Sequence, residues 1–148
     1  MKKVSVFLGF IVVIVLCFSL TSCQEDVPMV YPTDAPTLEG VSVEYISADL
    51  EAETPTIKVK WINNSEFSIN FGRSATIQKE IDGNWESLGA LSSQQGMQKV
   101  EAGQTIEIDY KITCQGVSSP GKFKIEAIFN VMDEASLEAY PASVEFEL

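Results

Sequence analysis

The sequence predicts an all-β fold, an antiparallel sandwich of about seven short strands. Three observations predict it: apolar and polar residues alternate with period two along much of the chain after residue 38, turn-forming residues separate these runs, and helical periodicity is nearly absent. Strands with one apolar and one polar face are typical of antiparallel sheets, because such a sheet buries one face and exposes the other. A chain of 148 residues is expected to form one domain.

The first 22 residues have the composition of an export signal. The chain begins Met-Lys-Lys, and Val4–Leu20 contains no charged residue. Leu20–Cys23 reads Leu-Thr-Ser-Cys and resembles the bacterial lipobox, which implies lipidation of Cys23 and cleavage between Ser22 and Cys23. The alternatives are an ordinary signal peptide, which the absence of alanine from residues 1–22 disfavours, and an uncleaved anchor helix with a chance cysteine at its end.

Residues 23–37 are predicted to be a lipidated N-terminus and an extended tether. Three prolines between residues 24 and 36 oppose both helix and strand. At about 3 Å per residue the tether can hold a domain roughly 40 Å from the lipid surface. The domain itself is predicted to span residues 38–148.

The regular elements of this domain are predicted to be mainly strands. Five runs alternate clearly, namely Val41–Tyr45, Ile57–Trp61, Ile106–Ile112, Phe123–Phe129 and Val144–Leu148. Trp61 is predicted to be a core anchor, because Lys58 and Lys60 occupy the other face of its strand and belong in water. Phe67–Phe71 also alternates and is predicted to face the core; the alternative is an exposed apolar patch beside Trp85.

The connections are predicted from turn chemistry. Ile77–Ile81 and Trp85–Leu88 flank Asp-Gly and predict a hairpin. Gly89–Lys99 is the longest turn-rich connection, and Met132–Ala139 is a short helical candidate. Asn63, Asn64 and Ser65 are interpreted as a turn rather than as a glycosylation site.

The order of these motifs resembles a family of bacterial immunoglobulin-like domains over about residues 40–130. The resemblance is carried by five segments in sequence order, namely Ile57–Ser65, Phe71–Gly72, Ile77–Trp85, Ala102–Thr105 and Pro120–Lys124. It implies an immunoglobulin-like antiparallel β-sandwich and export to the cell envelope. It implies no catalytic residues.

Composition excludes several kinds of function. The net charge is −11, and it becomes −13 without Lys2 and Lys3, so binding to a phosphate backbone is disfavoured. The absence of histidine removes the commonest general base and the commonest zinc ligand. With Cys17 in the signal and Cys23 lipidated, Cys114 has no disulfide partner and is interpreted as a half-buried structural thiol. We expect no metal, no cofactor and no enzymatic activity.

The function predicted from these features is that of a monomeric, non-catalytic binding module, tethered to an extracytoplasmic membrane by its covalent lipid. That membrane is the cell membrane, or the outer membrane if the host has one. The ligand is a protein, a peptide or a glycan, and the residues do not choose among them. The alternative is an immunoglobulin-like inhibitor of extracellular proteases. For either function the candidate binding loop is Gln94, Gln95, Gly96 and Met97.

Overall fold

The computed structural model describes residues 37–132 and 139–148, and every regular element within them is a β-strand. There are nine of these strands. In chain order they are β1 (Val41–Asp49), β2 (Thr56–Asn63), β3 (Ile69–Phe71), β4 (Ser74–Ile81), β5 (Asn84–Ser93), β6 (Gln98–Val100), β7 (Gln104–Ile112), β8 (Lys122–Val131) and β9 (Ala139–Glu147). The all-β prediction is confirmed.

The strands form two layers that β5 joins. β1, β2 and β7 pair side by side in one layer, and β9, β8 and β4 pair in the other. β5 pairs with β4 along its length and also with β7 through Leu91–Ser93, with a bulge at Leu88 between the paired positions Ser87 and Gly89. Towards its end β8 exchanges β4 for β3, which in turn pairs with β6. All of these pairings are antiparallel.

The core lies between the layers and is built from the inward positions of the alternating runs. Trp61 is fully buried; its ring stacks on Phe71 at 4.1 Å between centroids and meets Phe129 edge-on at 6.1 Å. Ile69 is fully buried as well and Phe67 packs at the margin of the core. The inward orientation predicted for Trp61 and for Phe67–Phe71 is therefore confirmed, and the patch beside Trp85 does not form.

The predicted hairpin is confirmed as β4 and β5. Ile81 pairs with Asn84 across the two-residue turn Asp82-Gly83. Both turn residues have positive φ, 52° and 80°, which is the type I′ geometry that matches the twist of the flanking strands.

The prediction of a long turn-rich connection at Gly89–Lys99 is wrong. β5 continues to Ser93 and β6 begins at Gln98, so only Gln94–Met97 lies between them. Small residues weaken the alternation here, but hydrogen bonding from both β4 and β7 holds the segment as a strand. The short strands β3 and β6 account for the difference between nine strands and about seven. Of the helical candidate, residues 133–138 lie outside the described part of the chain, and Ala139 begins β9.

Asn63 ends β2 as a buried polar residue and holds the loop after β2 to the end of β6. Its Nδ2 donates to the Phe67 carbonyl at 2.8 Å and to the Val100 carbonyl at 3.0 Å. Its Oδ1 accepts hydrogen bonds from the Ser65 backbone N–H and hydroxyl. Because the side chain is 0% exposed and its amide N–H groups are used, a structural role accounts for Asn63.

Candidate functional site

The candidate site is a polar groove on the outer face of the β1–β2–β7 layer. We call it the distal groove, because it lies at the end of β1 opposite to the end where the chain enters the domain. It has a volume of about 520 Å³ and is lined entirely by polar side chains. They are Ser47, Asp49, Thr54, Thr56, Lys58, Gln94, Gln95, Asp109 and Lys111.

The floor of the distal groove follows from strand register. Ser47, Lys58 and Asp109 lie in one row across the three strands. In the next row Thr56 lies between Asp49 and Lys111. Since alternate residues of a strand point to the same face, both rows project away from the core.

The charges in the floor differ in how they are paired. Lys58 Nζ lies 3.7 Å from Asp109 Oδ1 and 3.9 Å from Glu107 Oε2. Asp49 Oδ1 accepts the Ala52 N–H at 3.1 Å, which holds the start of the loop to β2. Lys111 has no ion-pair partner among the described residues. The Lys111 amine is therefore available to a ligand.

One wall of the groove is the turn between β5 and β6. Gln95 N–H donates to Ser93 Oγ at 3.1 Å, and Gln98 Nε2 donates to the Gln95 carbonyl at 2.6 Å. These bonds fix the backbone of the turn while the side chains of Gln94 and Gln95 remain exposed. Their amides offer both donors and acceptors to the groove.

The predicted loop residues divide into two sets. Gln94 and Gln95 line the distal groove, whereas Met97 projects from the turn with 75% of its surface exposed and is not part of the lining. Gly96 lies between them and is likewise outside the lining. Ser22 and Cys23, predicted for cleavage and lipidation, fall outside the described residues.

Most of the groove was not predicted from sequence. The strand residues of its floor appear in the sequence only as the polar members of alternating runs. Which of them become neighbours depends on the register of three strands that are distant in the chain, and the alternation alone does not specify that register.

A second cavity, of about 520 Å³, lies beside the β7–β8 connection and contains Cys114. Cys114 is free and half-buried, as the sequence predicts. Burial raises the pKa of its thiol, so the sulfur is protonated at neutral pH and is a poor nucleophile.

On the opposite layer Trp85 lies on the outer face with two lysines above its ring. Lys124 Nζ is 4.9 Å and Lys122 Nζ 5.3 Å from the ring centroid. The Lys122 amine also lies 2.7 Å from Glu145 Oε2, and this contact raises the pKa of Lys122. Because the lysines cover the ring, Trp85 functions here as part of a surface cation–π cluster.

The residues from the start of β1 to the end of β9 match a known family. A sequence model described as a bacterial Ig-like domain matches residues 37–147. The chain belongs to this family. The resemblance inferred from the turn motifs is thereby confirmed, and with it the immunoglobulin-like antiparallel sandwich. No curated relative matches the bacterial Ig-like chain.

Several solved structures match parts of this chain. The archaellum periplasmic stator protein FlaG from Sulfolobus acidocaldarius is 12% identical, with a TM-score of 0.42, and the match covers 72% of this chain and 99% of FlaG. The stator complex of FlaF and FlaG from the same organism is 13% identical, with a TM-score of 0.45 and coverage of 79% and 96%. A PapD-like domain of human CEP192 is 12% identical, with a TM-score of 0.42 and coverage of 81% and 89%.

Two further properties concern residues 37–132 and 139–148 alone. No helix in this part of the Ig-like chain is long and apolar enough to span a membrane. In the same residues no cluster of three or more acidic or cysteine side chains is arranged to hold a metal ion.

Proposed function

We propose that this bacterial Ig-like protein is a lipid-anchored, non-catalytic binding module of the cell envelope whose ligand binds in the distal groove. The observation that carries the proposal is the position of the groove relative to the chain entry. The chain enters at the start of β1, and Ser47 and Asp49 line the groove at the other end of that strand. The nine residues of β1 extend about 27 Å.

With a lipid on Cys23, this geometry would set the orientation of the domain at the membrane. The tether would reach the domain at the end away from the groove, so the groove would face outward from the membrane. Two acyl chains on the cysteine are enough for stable attachment, since each buried methylene contributes about 0.8 kcal/mol.

The absence of a catalytic role rests on how the polar groups of the groove are used. Asp109 is ion-paired with Lys58, and Asp49 accepts a backbone N–H. The chain has no histidine to serve as a base. What remains are exposed amides, hydroxyls and one unpaired amine, which bind a ligand but do not activate it.

Lipid attachment is tested by metabolic labelling with a tagged fatty acid. Cys23→Ala is expected to abolish label incorporation and to release the domain or leave an unprocessed precursor, whereas Cys17→Ala is expected to label normally. Incorporation that survives Cys23→Ala would remove the lipoprotein proposal.

Ligand binding in the distal groove is tested by photo-crosslinking of the full chain in its host. A photoreactive residue at position 95 is expected to form a discrete adduct. The same residue at Gln104, an exposed amide position at the entry end of β7, is the control. Equal adducts from the two positions, or none from position 95, would contradict binding in the groove.

Inhibition of extracellular proteases is the second candidate, because the turn at Gln94–Met97 is braced and exposes Met97. Nanomolar inhibition of a secreted protease, abolished by substitutions within this turn, would favour it. A panel of secreted proteases separates the two functions, since a binding module leaves every enzyme active.

A further inference from the structure

We infer that the ligand of the distal groove is a neutral oligosaccharide. This inference rests on the proposed function, because it assigns a chemical class to the ligand of the same site. It is carried by the lining of the groove, its charge balance and its open shape.

The lining matches hydroxyl chemistry. Each of the nine side chains carries a hydrogen-bonding group, and none is an aliphatic or aromatic residue. The set combines donors with acceptors: amides at Gln94 and Gln95, hydroxyls at Thr54 and Thr56, and carboxylates and amines in the floor. A sugar hydroxyl both donates and accepts, so a polyhydroxylated ligand can bond to the amides, to the hydroxyls and to the Lys111 amine.

The charges of the side chains that line the groove cancel, and Glu107 adds a carboxylate at its edge, paired with Lys58. Asp49 and Asp109 contribute two negative charges, and Lys58 and Lys111 contribute two positive charges. The protein as a whole has a net charge of −11, so its long-range field repels anionic ligands. Local neutrality within an acidic surface favours a ligand without charge.

The floor also provides apolar surface of the right kind. Lys58 and Lys111 lie in adjacent rows on neighbouring strands. Long lysine side chains can lay their methylene stems on a surface while their amines reach water. The C–H face of a sugar ring can pack on these stems as its hydroxyls reach the surrounding polar groups.

Shape separates an oligosaccharide from a folded partner. The groove has about 520 Å³, within the roughly 300–1,000 Å³ of small-molecule sites. A protein partner is expected to insert an aromatic or aliphatic anchor into an apolar pocket. The distal groove has no such pocket, and this favours a glycan over a protein or peptide.

The test is an array of neutral oligosaccharides (glucans, mannans and N-acetylhexosamine chains) with uronic-acid oligosaccharides as acidic comparators. It is probed with the full lipidated chain in detergent micelles, and the neutral sugars that bind are titrated by calorimetry. The Gln94→Ala/Gln95→Ala double variant is expected to weaken their binding about tenfold, since it removes two amide contacts. Gln104→Ala removes a comparable amide outside the groove and is expected to leave the affinity unchanged.

Binding restricted to acidic sugars, no binding to any neutral sugar, or equal affinity of the double variant would each overturn the inference. The crosslinking experiment distinguishes this failure from failure of the proposed function. An adduct with a protein at position 95 without sugar binding rejects the glycan and retains the binding module. If there is neither an adduct at position 95 nor sugar binding, both the glycan ligand and the binding module are rejected.

Discussion

The two tryptophans occupy different environments although both lie on strands of the same domain. Trp61 is 0% exposed and contacts Phe71 and Phe129 in the core. Trp85 is half-exposed beneath Lys122 and Lys124. Truncation to alanine should therefore lower the free energy of unfolding more at Trp61 than at Trp85, because it leaves a cavity in the core only at Trp61.

Trp61→Ala is expected to lower the free energy of unfolding by about 3–5 kcal/mol, a large share of the roughly 5–15 kcal/mol of a natural domain. Trp85→Ala, the matched control, is expected to cost less. Denaturant melts of both variants measure the difference. A mild effect at Trp61 with a severe one at Trp85 would contradict the inward orientation of Trp61.

Tyr110 carries a buried hydroxyl for which the described residues provide no hydrogen bond of normal geometry. Burial raises its pKa from 10.0 to about 12, while the nearby Trp61 side chain opposes the shift. Between these two values the unfolded chain has lost the proton that the folded chain retains. The contribution of Tyr110 to stability is therefore constant below pH 10 and falls as pH rises from 10 to 12.

In wild type the free energy of unfolding is expected to fall by roughly 3 kcal/mol as Tyr110 titrates, the equivalent of about two pKa units. Tyr110→Phe is expected not to show this fall. Unfolding free energies measured from pH 9 to pH 12 check it. Tyr45→Phe is the control, because Tyr45 lies half-exposed and keeps its stacking on Phe146 as a phenylalanine. Parallel pH curves for wild type and Tyr110→Phe would be inconsistent with a buried, titrating Tyr110.

Two turns of the domain need glycine for different reasons. Gly83 has φ +80° and open space where a Cβ would lie. Gly40 has φ +85°, and a Cβ there would lie 2.8 Å from the Ser65 backbone nitrogen and 2.9 Å from the Asn64 carbonyl carbon. Both positions need left-handed backbone, but only Gly40 also needs the absence of a side chain.

Gly83→Ala is expected to cost about 1–2 kcal/mol, the energy of a left-handed alanine. Gly40→Ala is expected to cost more, because the backbone at Asn64 and Ser65 must also move. Thermal melts of the two variants measure both costs, and the difference between them is the steric cost of a Cβ at position 40. Equal costs would show that the segment before β1 moves freely away from the loop after β2.

Sequence alternation predicts the long strands better than the short ones. β7 and β8 are recovered because bulky and charged residues alternate along them, and the Asp-Gly turn identifies the β4–β5 hairpin. β6 has three residues, too few to show a period. The last part of β5 is a strand because two neighbours pair with it, a property of tertiary structure.

The same reason limits prediction of the candidate site. Gln94 and Gln95 are identified from the sequence because they lie in a polar turn. Asp49 and Lys111 are more than sixty residues apart in the chain and become neighbours of Thr56 only through register. Asn63 has turn chemistry in the sequence, yet the fold buries it, because carbonyls of two other segments need its donors.

For the whole molecule, neither a disulfide nor a metal cluster holds the described residues together, so the core and the strand pairing must be sufficient. Cys114 is free, and residues 37–132 and 139–148 contain no metal-binding cluster. The aromatic rings form two sets, and each spans the two layers. One set is Tyr45, Phe146 and Phe123, in which Tyr45 stacks on Phe146 at 4.4 Å; the other is Phe71, Trp61, Phe129 and Tyr140.

The segment from Leu38 to Leu148 is therefore expected to fold by itself, with a circular dichroism spectrum dominated by strand. Its melting temperature is expected to be the same with and without chelator or reductant. A shift with either reagent, or substantial helix, would contradict a core that is sufficient for stability.

The pairing of β1 with β2 has a mechanical consequence. β1 runs antiparallel to β2 through eight paired positions, and its first residue, Val41, lies at the end of the domain where the chain enters. If the N-terminal chain is pulled while a ligand holds the distal groove, the load acts along the length of β1. The paired positions then resist in shear, all together, instead of opening one after another as in a zipper. A domain loaded in this direction stays intact under traction that would peel the same two strands apart from their ends.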